Sequence, residues 1–199
     1  MKMTIIGAGI GGLTTAIALQ QKGIDYEIFE SFSEFKDLGA GILLANNAMQ
    51  VYEALGLAKQ LQNLGQAITH LKVTDDQLTP LSAVSIAETT SNDLPTVAIH
   101  RSRLQKALLE RIPKEKLHLG KRLESLAQNE KGVLLKFTDG STHQSAFVLG
   151  ADGIHSKVRE ALFTDFHPLV KDIIEATPAS SILTNPITDL KPITNWYQK

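Results

Sequence analysis

Met3-Thr4-Ile5-Ile6 runs straight into Gly7-Ala8-Gly9-Ile10-Gly11-Gly12, and that junction constrains the fold more than any other stretch of the chain. The apolar residues read as a short strand. The glycines read as a turn that only residues without a Cβ can make. Beyond them Ile10, Leu13, Ile17 and Gln20 recur at helical spacing, with Ala16 and Leu19 beside them. Gly23 stands where a helix C-cap is expected. Residues 24–30 then alternate as a second strand that ends in Glu30.

Strand, glycine turn, helix, strand and terminal acid form the pattern that holds a dinucleotide, and each part has a physical task. Gly7 permits the tight turn out of the strand. Gly9 lets backbone amides approach a pyrophosphate. Gly12 lets the helix pack closely on the sheet. Ala8, Ile10 and Gly11 complete the turn. The helix N-terminus offers unpaired N–H groups and the positive end of its dipole. Glu30 can accept hydrogen bonds from ribose hydroxyls and would repel a 2′-phosphate, so the nucleotide implied is NAD or FAD rather than NADP. The competing reading is a tightly packed glycine turn that binds nothing.

Composition narrows the alternatives. With 199 residues, 43% of them hydrophobic, the chain can bury one good core and a small appendage. A formal charge of −1 gives no electrostatic case for nucleic acid or an anionic membrane. The absence of Cys rules out disulfides and thiolate metal sites, and the six His show no ligand spacing, so no metal is expected. No apolar run approaches the ~20 residues of a membrane span. The first strand leaves no room for a signal peptide, and a cytoplasmic protein is the expectation.

Further along, Ser31 to Gly41 reads as a loop. Asn46 to Leu57 reads as a helix with Ala48, Val51, Tyr52 and Leu55 on one face and Gly56 at its end. Residues 66–74 and 81–87 read as strands joined by the polar turn Asp75 to Pro80, and Thr96 to Ile99 as another. Ser102 is placed to N-cap a helix carrying Leu104, Ala107, Leu108 and Arg111, which Pro113 stops. Val133, Leu135 and Phe137 alternate into the hairpin turn Thr138-Asp139-Gly140-Ser141. Ala146-Phe147-Val148-Leu149 reads as a buried parallel strand ending in Gly150-Ala151-Asp152-Gly153.

That second strand end bears on function, because ligands of open α/β sheets sit beyond the carboxyl ends of the strands. Asp152 and Gly153 can approach the same ligand as the first glycine turn. Equally, Asp152 can cap a helix carrying Val158 and Leu162. After this point the composition changes: all fourteen glycines lie before residue 154, and four of seven prolines lie after it. Residues 1–163 are expected to form one nucleotide-binding domain. Residues 164–199 are expected to form a helical and Pro-rich tail, with a helix at Leu169 to Ala176.

Taken together, four stretches resemble the N-terminal portion of the FAD-dependent aromatic-ring hydroxylases, the flavoprotein monooxygenases related to p-hydroxybenzoate and salicylate hydroxylases. They are the first glycine turn with Glu30; Gly39-Ala40-Gly41-Ile42 with Asn47-Ala48 and Leu55-Gly56-Leu57; His100-Arg101-Ser102-Arg103-Leu104; and Gly150 to Arg159. The resemblance implies a Rossmann-like FAD-binding domain of the glutathione-reductase type, with a parallel sheet plus a small antiparallel hairpin or meander. It implies that Gly7, Gly9 and Gly12 cradle the FAD pyrophosphate and that Glu30, followed by Ser31, binds the adenosine ribose. It places Gly41 and Arg101 near the cofactor and has Asp152 and Gly153 help position it. NAD(P)H is implied as transient reductant, and hydroxylation or epoxidation of a small, aromatic substrate as the reaction.

Where the family follows this portion with a long antiparallel excursion over the substrate and a later Gly-Asp motif, no glycine follows Gly153 here. An incomplete form of the enzyme is therefore expected, with a homodimer or a partner covering the exposed sheet. The alternatives are a non-catalytic module that binds FAD or its ADP half, and an NAD-dependent dehydrogenase. The residues identify no catalytic group.

Overall fold

The computed structural model describes residues 2–36, 40–86 and 94–162. The expected tail 164–199, with its helix Leu169 to Ala176, lies outside the described residues, as does Gly39. In chain order the elements are β1 (Lys2–Ile6), α1 (Ile10–Gln21), β2 (Asp25–Phe29), β3 (Gly41–Leu44), α2 (Asn46–Ala54), α3 (Ala58–Leu64), β4 (Gln66–Ile68), β5 (His70–Thr74) and β6 (Pro80–Ser85). They continue as β7 (Thr96–His100), α4 (Arg101–Leu109), β8 (Leu117–His118), β9 (Leu123–Asn129), β10 (Gly132–Phe137), β11 (Thr142–Ser145), β12 (Phe147–Gly150) and α5 (Lys157–Leu162).

The fold is the expected α/β arrangement. A parallel sheet of order β12-β1-β2-β8 forms its centre. Ile6 is in register with Gly150 on one side and Phe29 on the other, so the glycine turn and the Asp152 segment leave the sheet side by side. Two bonds extend this register past the strands: Gly7 N–H donates to the Phe29 carbonyl and Ala151 N–H to the Ile6 carbonyl, each at 2.8 Å.

Each face of the sheet carries its own core. On one side Ile5, Ile28, Leu13, Ile17, Leu104 and Leu108 bring α1 and α4 onto the strands. On the other side Ile6, Phe29, Leu123, Leu135, Phe137 and Val158 join the sheet to the antiparallel meander β9-β10-β11 and to α5. Fully buried side chains such as Leu135 and Phe137 each contribute about 1.5–3 kcal/mol of burial. A second antiparallel sheet, β3-β7-β4, continues the first core, and β5 and β6 form a separate hairpin.

Helix ends follow the glycines. Gly23 (φ +67°) donates to the Gln20 carbonyl and Ile24 to Leu19, a paired closure of the last turn of α1. Gly56 (φ +69°) and Leu57 close α2 the same way, on Glu53 and Tyr52.

Several expectations need correction. Gln20 is not part of the buried face of α1; it is exposed and accepts the Tyr26 hydroxyl at 2.9 Å. On α2 the buried residues are Met49 and Tyr52, with Leu55 at its end, while Val51 is 51% exposed. The chain turns back immediately into α3, which buries Ala58 and Leu61. The expected strand 66–74 breaks at Thr69: β4 pairs with β7, and β5 with β6. Ser102 does not cap α4. The cap position belongs to His100, and the buried Ser102 hydroxyl meets the His100 ring at 2.8 Å. β12 is parallel as expected but not buried throughout. It lies at the sheet edge, and Phe147 is 48% exposed. The strands β3, β8 and β9 are additional to those the sequence predicts.

Candidate nucleotide-binding site

A cleft of about 550 Å³ opens where the β1 and β12 ends meet, within the usual range for ligand sites of about 300–1,000 Å³. The first motif contributes Gly7, Gly9, Ile10 and Gly11 to its wall. Glu30 and Ser31 contribute from the end of β2, Arg101 from the start of α4, and Asp152 and Gly153 from beyond β12. Residues from four distant parts of the sequence thus converge on one cavity. A second recess of about 320 Å³ shares Gly9, Glu30 and Arg101 and adds Phe35 and Gln105.

Three of the expected residues stand differently. Gly41 lines neither cavity; it opens β3, paired with His100. Ala8 and Gly12 support the wall from behind. A Cβ on Gly12 would lie 1.9 Å from the Gly7 carbonyl oxygen, so this glycine serves close packing of α1 on the turn. Gly7 combines φ +101° with a position where a Cβ would lie 2.3 Å from the Ala151 carbonyl oxygen. It therefore holds the two strand-end motifs together as well as making the turn.

Gly9 and Gly11 are the opposite case. A Cβ on either meets nothing within 4 Å, so a side chain there would project into open space. Gly9 is the N-cap of α1 and supplies no side-chain acceptor, and no acid lies in the first turn. The leading amides of a 12-residue helix are thereby left without an acidic neighbour in their own turn, the arrangement that binds phosphate groups. This open glycine wall fits the pyrophosphate of a dinucleotide.

Glu30 is 7% exposed and accepts three hydrogen bonds: the Ala8 N–H at 2.6 Å, the Ser31 hydroxyl at 2.9 Å and the Phe32 N–H at 2.9 Å. A carboxylate has about four acceptor positions, so Glu30 both orders the turn and keeps acceptor capacity toward the cleft. Its own backbone is held by the end of β8 and the segment after it: Glu30 N–H donates to the His118 carbonyl, and Lys121 N–H donates to the Glu30 carbonyl.

Asp152 caps a helix and stands at the cleft wall. Its carboxylate caps α5, accepting the Ser156 hydroxyl at 2.6 Å, the Lys157 N–H at 2.7 Å and the Val158 N–H at 3.2 Å. It also lines the cleft. Close packing fixes this cap, since a Cβ on Gly150 would stand 2.8 Å from the Val158 side chain.

Further cationic residues join the wall: Lys121 and Arg122, which lie outside every motif, and Lys157, which lies within the Gly150 to Arg159 stretch but was not singled out. Lys121 is already paired with Asp139 at 2.5 Å, and Lys157 with Glu160 at 2.6 Å. The Lys121 ammonium, with hydrogen bonds from Ser141, holds the Asp139 carboxyl well below the usual range. Lys121 and Arg122 follow β8, a strand of two residues, and so arrive by tertiary pairing rather than by any local motif. Gln105 was missed as well. It lies one helical turn after Arg101 and donates to the Ala8 carbonyl at 3.0 Å.

No group of His, Cys, Asp and Glu that could hold a metal occurs among the described residues. None of the described helices is long and apolar enough to cross a membrane.

Comparison with known proteins gives a family model and several relatives. A family model described as "FAD binding domain" matches residues 1–191. The chain is similar to the FAD-dependent urate hydroxylase of Klebsiella pneumoniae subsp. pneumoniae, 33% identical over 164 residues, which cover 80% of this chain and 42% of that protein. It is similar to the aurachin C monooxygenase/isomerase of Stigmatella aurantiaca, 31% identical over 169 residues, 84% of this chain and 44% of that one. Among solved structures it resembles Klebsiella pneumoniae HpxO complexed with FAD and uric acid, with a TM-score of 0.73 and 31% identity, covering 81% of this chain and 41% of that one. The chain thus spans less than half the length of these relatives.

Proposed function

This chain belongs to the FAD binding domain family, and from that premise we propose that it is the nucleotide-binding portion of an FAD-dependent monooxygenase. Residues 1–163 form the domain that holds the cofactor. The whole enzyme takes reducing equivalents from NAD(P)H and hydroxylates or epoxidises a small aromatic substrate. The family's relatives named for urate and aurachin C support that class of reaction.

The observation that carries the reading is the convergence of Gly9, Glu30, Arg101 and Asp152 on one cleft from four separate parts of the chain. Bound FAD supplies redox chemistry that no side chain here can perform. The protein's own groups bind and orient. The α1 amides and Arg101 take the pyrophosphate charge. Glu30 accepts from the adenosine ribose. Asp152 and Gly153 bring the β12 side of the cleft against the same ligand.

A second reading is favoured by length. The chain covers 42% of the urate hydroxylase, which suits a module that holds the ADP half of FAD and performs no turnover alone. One titration separates the two. FAD is added to the purified 199-residue chain, with ADP as competitor, and NAD(P)H oxidation is followed with aromatic substrates. Binding of FAD displaced by ADP supports the site. Substrate-stimulated oxidation selects the enzyme, and its absence selects the module. A chain that binds neither nucleotide overturns both.

A further inference from the structure

Two consecutive peptide planes of the glycine turn are each held by a side chain from elsewhere in the fold. The Gly7–Ala8 peptide is held through its N–H, which donates to the Glu30 carboxylate at 2.6 Å. The Ala8–Gly9 peptide is held through its carbonyl, which accepts the Gln105 side-chain amide at 3.0 Å. The two anchors sit 22 and 97 residues from Ala8 and belong to different elements, the end of β2 and α4.

A trans peptide fixes its N–H and carbonyl in one plane, pointing in opposite directions. Holding the Ala8 carbonyl against α4 therefore determines where the Gly9 N–H points. Gly9 permits many more peptide orientations than a residue with a Cβ would. Without an anchor, the Ala8–Gly9 peptide could turn its carbonyl toward the cleft and set a negative dipole against the anionic ligand. Gln105 is also the residue four positions after Arg101, on the same side of α4. Both line the 320 Å³ recess together with Gly9 and Glu30.

We propose that Gln105 is a positioning residue for the nucleotide, holding the Ala8–Gly9 peptide in the orientation that presents amide hydrogens to the pyrophosphate. Through α4 it also ties that turn to Arg101, so that backbone donors and guanidinium keep one geometry. The inference rests on the dinucleotide reading of the cleft.

The test is the affinity of the full chain for ADP and FAD, beside the melting temperature of the ligand-free protein. Gln105→Leu keeps the bulk of the side chain and removes the donor. It is expected to weaken both nucleotides tenfold or more while the ligand-free melting temperature stays close to that of the parent. Gln105→Glu supplies a second readout. Ionised, it repels the Ala8 carbonyl; protonated, it can donate to it. Its ADP affinity should recover toward the parent value as pH falls, over a range where the Gln105→Leu variant shows no such recovery. Parent-like affinity in Gln105→Leu, or an affinity in Gln105→Glu that tracks Gln105→Leu at every pH, overturns the proposal. A parent chain that binds neither ADP nor FAD overturns the function itself, and this inference with it.

Discussion

The α-carbon of Gly12 faces the carbonyl oxygen of Gly7 so closely that a methyl group on Gly12 would sit 1.9 Å from that oxygen. Gly9, three residues earlier, has nothing within 4 Å of the same position. Packing requires the first glycine, whereas at the second the fold itself leaves room for a side chain.

Gly12→Ala is expected to destabilise the chain by about 2–3 kcal/mol, since both clashing groups are backbone and neither can move without shifting α1. Urea unfolding followed by circular dichroism checks this. A midpoint within error of the parent would show that α1 can shift at little cost.

Gly9→Ala separates binding from stability. The Gly9 backbone (φ −70°, ψ −178°) is open to any residue, so the ligand-free stability should change by less than about 1 kcal/mol. FAD affinity should fall at least tenfold, because the methyl group occupies the approach to the helix amides. Calorimetric titration of FAD and ADP gives the result; retained affinity would remove the pyrophosphate from this wall.

Asp152→Ala should cost about 1 kcal/mol through the lost cap of α5. Asp152→Asn keeps an acceptor for the Lys157 and Val158 amides and should cost less than half of that. Hydrogen exchange at those two amides reports the difference. Equal losses for the two variants would mean that the charge, and not the cap, matters.

Acid should weaken the fold in two stages, one set by His143 on β11 and the other by Glu27 on β2. Burial pushes the His143 imidazole below its ordinary value, against the opposing pull of Glu27, with Lys2 and His118 adding to the depression. The unfolded chain therefore takes up this proton first, and stability falls as the pH drops below about 6.5. Burial opposes ionisation of Glu27, yet the Lys2 ammonium at 2.6 Å and the two imidazoles hold its carboxyl below the usual range. That contribution is present above the unfolded value near 4.5 and lost as the pH falls through the lower folded value. His143→Gln should flatten the first stage and shrink, without abolishing, the second, which Lys2 still supports, in urea midpoints measured from about pH 7 to about pH 3. A parent curve that is flat across the first stage would contradict the assignment.

The first βαβ unit was legible because its signals are local. A strand beginning at Met3, glycines at 7, 9 and 12, a helical repeat and an acid at 30 lie within one short stretch, and each follows from sterics or periodicity. The hairpin at Thr138 to Ser141 was legible for the same reason, and the Phe137 N–H does close on the Ser141 carbonyl. Face assignments were less secure. Val51 and Met49 differ little in apolar character, and it is Met49 that shares the buried face with Tyr52 and Leu55 while Val51 is exposed.

The cleft itself needed three dimensions. Sequence spacing established that a glycine turn and an acid could serve a nucleotide, since that pattern is dictated by the backbone over a few turns of chain. It could not bring Lys121 and Arg122 to the wall, because the two-residue strand β8 that delivers them is stabilised by pairing with β2 and not by its own residues. Nor could it place Gln105 against Ala8, a contact across 97 residues that exists only because α1 and α4 pack in one core. Local sterics wrote the turn into the sequence; burial of distant apolar faces against a common sheet chose its neighbours.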